Sequence, residues 1–113
     1  MRTFEPGEVI RVPFPYTDRA TRQSRPALVV STARFQDLHG LLWVVMITSA
    51  KNRGWPDDVP VADLRSAGLP VPSIVRSAKI ATIDASAASP LGRLPAAQLR
   101  QVTEGIRRRL GAR

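Results

Sequence analysis

The chain has no cysteine, which removes disulfides, thiolate nucleophiles and cysteine-ligated zinc from consideration. Its one histidine, His39, excludes a His-pair metal site and any cleavage scheme built on two imidazoles. No apolar run approaches the roughly 20 residues that a membrane-spanning helix needs. The charged, Pro-Gly-containing start does not read as a signal peptide. The expectation is a cytoplasmic protein that works without a metal or other cofactor. Lysine is nearly missing as well: Lys51 and Lys79 stand beside fifteen arginines among the 17 cations, and nine carboxylates leave a net charge of +8. Arginine carries a planar fork of donors that matches phosphate or carboxylate bidentately, whereas lysine is a point charge. The balance suits a phosphate-rich partner or an acidic protein segment. A codon bias toward arginine produces the same composition with no binding role.

With 113 residues, 43% of them hydrophobic, the chain makes a single domain, residues 1–113, with material for one core. Residues 8–14 follow a Pro-Gly turn and read as a half-buried strand, with Pro13 and Pro15 marking an edge or a bend. Residues 16–24 have no periodicity and form a hairpin loop. A buried strand over 26–31 and a short helical turn over 32–40, closed by Gly40, come next. Residues 41–47 are seven apolar residues in a row, which predicts a central strand with Trp43 in the core. A polar loop then leads to a short strand at 58–61 and a one-turn helix at 62–67, stopped by Gly68. Residues 73–76 and 79–83 read as two short strands or one bent strand, and 89–94 as the last.

Leu99, Val102, Ile106 and Leu110 form the apolar stripe of a C-terminal helix, opened by Pro95 and closed by Gly111. Arg107, Arg108 and Arg109 fall in its last turn, where cations complement the helix dipole. The fold class is mainly β (α+β), a small and strongly bent sheet or barrel with a C-terminal α-helix. Arg25 stands directly before Pro26 at the entrance of a buried strand, which makes it a rigidly placed guanidinium at the end of a polar, arginine-studded loop.

Several stretches, taken in order, resemble the MazF/PemK family, the ribonuclease toxins of bacterial toxin–antitoxin pairs. They are residues 7–14, Arg25-Pro26-Ala27-Leu28-Val29-Val30-Ser31 with Ile47-Thr48-Ser49, residues 54–59, residues 73–76 leading into 81–84, and 91–95 before the helix. Each is unspecific alone; their order and spacing over nearly the whole chain carry the likeness. The resemblance implies a small SH3-like β-barrel with a C-terminal helix, usually a homodimer. It also implies a metal-independent endoribonuclease that cuts single-stranded RNA at a short sequence. In that reaction the 2′-hydroxyl attacks the adjacent phosphorus and leaves a cyclic phosphate and a 5′-hydroxyl. Arg25 and Thr48 match the family's catalytic positions.

Arg76 matches the arginine of an Arg-x-Asp pair that in some relatives supplies acid and base, but Ala78 stands at the aspartate position. The base is therefore unassigned, with Asp18 a candidate, and Arg76 reads equally as sheet-surface solvation. Arg19, Arg22, Lys51, Arg53 and Lys79 are candidates for phosphate contacts, and Gln23 and Ser49 for reading base edges. Trp55 either stacks on an unpaired base or folds onto the barrel ahead of Pro56. His39 is assigned no role. A cognate acidic antitoxin, whose disordered tail lies across the active-site groove, is the implied protein partner. The alternative is a non-catalytic toxin or nucleic-acid-binding module on the same barrel, such as a gyrase-inhibitor-like protein.

Overall fold

A strand that is apolar at every position must be covered on both faces, and the computed structural model, which describes residues 2–14 and 23–111, shows what covers residues 41–47. The chain runs through β1 (Glu8–Phe14), β2 (Gln23–Val29), α1 (Ala33–His39), β3 (Leu41–Ser49), β4 (Val59–Pro60), α2 (Leu64–Ala67), β5 (Ser73–Asp84), β6 (Ser89–Arg93) and α3 (Ala96–Arg109). Short 3₁₀ turns lie at Ala50–Asn52 and Ala85–Ala87. The strands form one six-stranded antiparallel sheet in the order β4-β5-β3-β2-β1-β6. Alternate residues serve two cores. Val44 and Met46 join Ile10, Val12, Val29 and Phe4 on one side. Val45 and Ile47 join Val9, Leu28, Val75 and Val102 of α3 on the other. The curled, mainly β sheet with its C-terminal helix is the expected fold class.

Trp43 departs from expectation. It is 48% exposed rather than core. It shares the parity of Val45 and Ile47, but the apolar stripe of α3 runs out before reaching it. Val102 is buried and Ile106 partly so, whereas Leu110 lies past the last helical residue and is 59% exposed. Trp43 rests instead against the Phe35 ring of α1, with centroids 4.7 Å apart.

β2 begins at Gln23 rather than at residue 26, so Arg25 lies within it, opposite Val12, and Pro26 is opposite Arg11. Pairing with β3 starts only at Ala27↔Met46. Pro26 therefore occupies a stretch with no β3 neighbour, where a missing donor is tolerated. β5 is one bent strand. Val45 pairs with Ile80 but the next residue, Met46, pairs with Arg76, so residues 77–79 bulge out of the ladder. The bulge breaks the alternation and gives the sequence its look of two strands.

The short helices are closed by side chains and glycines. Thr32 accepts the Phe35 N–H at the start of α1, and Gly40 ends it in the left-handed region at φ 70°. Asp63 caps α2, and the Ser66 hydroxyl and N–H that donate to it hold its carboxyl below the usual carboxylate range. The dipole account of the arginine triplet covers only part of its role. Arg107 pairs with Glu104, while Arg108 and Arg109 both reach Asp57, tying the loop before β4 to α3. Among the described residues no helix is long and apolar enough to cross a membrane.

Candidate active site

Arg25 lies two residues before the first β2–β3 pair, Ala27↔Met46, and Thr48 two residues after it, so both stand at the same end of that ladder. Both residues line one cavity of about 230 Å³, with Pro26 and Ile47 between them and the segment Leu69-Pro70-Val71 as its wall. Arg11 of β1, paired with Pro26 in the ladder, contributes a second guanidinium to the same cavity, and Ser24 and Ser49 add hydroxyls. Among the described residues no carboxylate and no imidazole lines it. Two arginines and several hydroxyls that converge on one cavity suit a phosphodiester, whose negative charge they can meet with several donors at once.

Beside this cavity the loop after β3 is built on a buried ion pair. Arg76 is 6% exposed, and its Nε and Nη2 donate to Oδ1 and Oδ2 of Asp58 at 3.2 and 2.9 Å. Its Nη2 also donates to the backbone carbonyl of Asn52 at 2.6 Å. The ring of Trp55 lies over the guanidinium at 4.3 Å, and Lys79 Nζ is 5.5 Å from the ring centroid. Asp58 accepts the Trp55 N–H at 3.2 Å, which fixes the loop that carries the indole. Asp57 holds that loop in a left-handed conformation at φ 65°, which Asp tolerates better than most residues.

The structure brings some of the expected residues together and separates others. Arg25, Thr48 and Ser49 share the cavity. Ser49 also accepts the Lys51 N–H at 3.2 Å, capping the 3₁₀ turn. Lys51 and Arg53 are exposed on that loop, and Lys79 is half-buried beside Trp55. Trp55 folds onto the barrel and keeps an exposed part. One part of it is stacked on the barrel through Arg76, and 44% of it is exposed. Arg76 does not line the cavity; its guanidinium is buried and engaged beneath Trp55, so it is not sheet-surface solvation.

Gln23 enters β2 opposite Phe14. Arg19, Arg22 and Asp18 lie outside the described residues. Three residues were not anticipated. Arg11 was visible only as a polar position in an alternating strand. Asn52 lies four residues after Thr48 in a polar loop, the distance at which a single turn brings two side chains together. Asp58 carries no local sign of its pairing with Arg76.

A family model described as PemK-like, MazF-like toxin of type II toxin-antitoxin system matches residues 5–110. The chain belongs to this PemK/MazF toxin family. Among solved structures, MazF from Deinococcus radiodurans superposes with a TM-score of 0.81 at 25% identity, over 99% of this chain and all of that one. The MazE–MazF complex from the same organism gives 0.80 at 25% identity, again over 99% and 100%. An endoribonuclease in complex with its cognate antitoxin from a mycobacterial species shares the fold at 19% identity, with a TM-score of 0.75 over 100% and 98% of the two chains. No curated relative matches the chain in sequence. The fold of this PemK/MazF-family protein is thus the MazF fold, and the cavity holding Arg25 and Thr48 lies within the matched region.

Proposed function

We propose that this PemK/MazF-family protein is an endoribonuclease toxin that cuts single-stranded RNA at a short sequence without a metal. The observation that carries the reading is the shared cavity of Arg25 and Thr48, with Arg11 beside them. A bond forms from the ribose 2′-oxygen to phosphorus as the bond to the 5′-oxygen breaks, which leaves a 2′,3′-cyclic phosphate and a 5′-hydroxyl. Arg25 offers two parallel N–H donors to the non-bridging oxygens and Thr48 a hydroxyl donor, both placed before the charge develops. Arg25 acts by charge and orientation. Water carries the proton from the 2′-hydroxyl and back to the leaving oxygen. Arg76 supports the site from beneath Trp55. Lys51, Arg53 and Lys79 hold flanking phosphates, Ser49 faces a base edge, and Trp55 stacks on an unpaired base. Arg19, Arg22 and Gln23 belong to the same RNA-binding proposal on sequence grounds.

The proposed partners are a cognate acidic antitoxin and a second copy of the chain, and the proposed compartment is the cytoplasm. The related MazE–MazF complexes support the first of these. The reading is tested by incubating the purified protein and Arg25→Ala with a long RNA in EDTA and mapping the new 5′ ends. Discrete cuts bearing 5′-hydroxyls, made by the wild type alone, are the expected result. RNA left whole by both proteins would pass the chain to the non-catalytic reading on the same fold.

A further inference from the structure

The side chain of Asn52 has been given no role so far, yet two hydrogen bonds place the residue between the cavity and the buried ion pair. Its Nδ2 donates to Thr48 Oγ1 at 2.9 Å. Its backbone carbonyl accepts Arg76 Nη2 at 2.6 Å. The 3₁₀ turn Ala50–Asn52, capped by the Ser49 hydroxyl, is what folds residue 52 back over residue 48. Arg76 cannot shift easily, because both Asp58 oxygens grip it and Trp55 covers it. A buried guanidinium therefore holds the backbone of residue 52, and the exposed side-chain amide carried by that backbone bonds a cavity hydroxyl.

A threonine hydroxyl has one proton and two lone pairs, and nothing intrinsic decides where the proton points. An amide N–H that donates to the oxygen settles this, since the hydroxyl proton turns away from a donor. The approach of Asn52 from the loop side leaves that proton for the cavity that Thr48 lines. The geometry points to Asn52 as a positioning residue that holds the Thr48 hydroxyl as a donor toward the scissile phosphate, with the Arg76–Asp58 pair as its anchor. This assignment rests on the ribonuclease reading and adds a part to the same site. Asn52 itself is exposed. Its amide contributes no core packing, so substitution leaves the fold in place and reports on the hydroxyl.

The experiment is a double-mutant cycle on RNA cleavage, with thermal melting as a check on folding. Asn52→Ala is expected to lower kcat by about 10-fold to 100-fold with KM nearly unchanged, the scale of a misplaced catalytic group. Asn52→Asp is expected to lower kcat further, because a carboxylate accepts the Thr48 proton that the amide directs to substrate. In the Thr48→Ala background, Asn52→Ala is expected to cost nothing more. Affinity for an RNA analogue with a 2′-deoxy sugar at the cut site is expected to match the wild type in both single Asn52 variants. An Asn52→Ala enzyme with wild-type kcat overturns the assignment, as does an equal loss in the Thr48→Ala background or a loss confined to KM. If Arg25→Ala is inactive while the Asn52 variants cut normally, only this inference fails. A wild type that leaves every RNA intact removes the ribonuclease reading and this one together.

Discussion

In-line attack on a phosphodiester raises the negative charge on two non-bridging oxygens, and a planar fork of N–H groups meets both at once where an ammonium meets one. Arg25 is inside β2, paired with Val12, and the ladder sets the direction in which its side chain leaves the sheet. In the proposed ribonuclease reading, its removal takes away donors already in place when the charge appears. Arg25→Ala is expected to lower the single-turnover cleavage rate by about 10²–10³, equivalent to about 3–4 kcal/mol. Arg25→Lys is expected to recover little of it, since the charge returns without the fork. A rate for Arg25→Lys close to wild type would mean that charge alone suffices at this position. The fork of Arg76 is held by Asp58, and Nη2 also donates to the Asn52 carbonyl.

Between elements, that ion pair fastens the connection after β3 to β5. The Arg76 and Asp58 side chains are 7% and 9% exposed, so removing either partner strands a charge away from water. Arg76→Ala is expected to destabilise the fold by about 3–5 kcal/mol in urea unfolding. A change under 1 kcal/mol would show that water reaches Asp58 once the guanidinium is gone. What was legible in the sequence follows the same division between local and distant effects. Gly40 and Gly68 as helix stops, the strand at 41–47 and the Leu99, Val102 and Ile106 part of the α3 stripe each have a signature within a few residues, and the structure bears each out, while Leu110 falls outside the helix. The nearness of Arg25 and Thr48 was legible in part, because β2 and β3 are linked by a short helix that makes them antiparallel neighbours. The bulge at residues 77–79 was not, since alternation interrupted by three residues looks the same whether the strand bends or stops. Trp43 misled because an apolar run says that a strand is covered without saying where its cover ends. The pairing of Arg76 with Asp58, eighteen residues apart, depends on how the loop folds back on β5 and leaves no local trace.

For the whole molecule, a net charge of +8 has to be reconciled with the proposed second copy and with RNA. Trp43, Ile80, Ala81, Thr82 and Leu110 line a surface hollow of about 390 Å³ with no charged residue in its lining, and the proposed second copy is tested there. Trp43→Glu is expected to shift the protein toward monomer in light scattering, and an unchanged mass would place the contact elsewhere. Charge acts differently on RNA, since neutralising phosphates releases counterions and makes affinity depend on salt, with a logarithmic slope of about −0.7 per phosphate contacted on a single strand. Lys51 and Arg53 are exposed on the loop next to Thr48, and Trp55 follows on the same loop. A phosphate contact and a stacking contact both weaken binding when lost, but only the first changes the slope. Lys51→Ala and Arg53→Ala are each expected to flatten the salt dependence by about 0.7. Trp55→Ala is expected to weaken binding by roughly 1–3 kcal/mol at every salt concentration, with the slope unchanged. Titrations of a non-cleavable RNA across a salt series separate the two. A flattened slope in Trp55→Ala would mean that the indole acts by holding Arg76 and Lys79 in place rather than by stacking on a base.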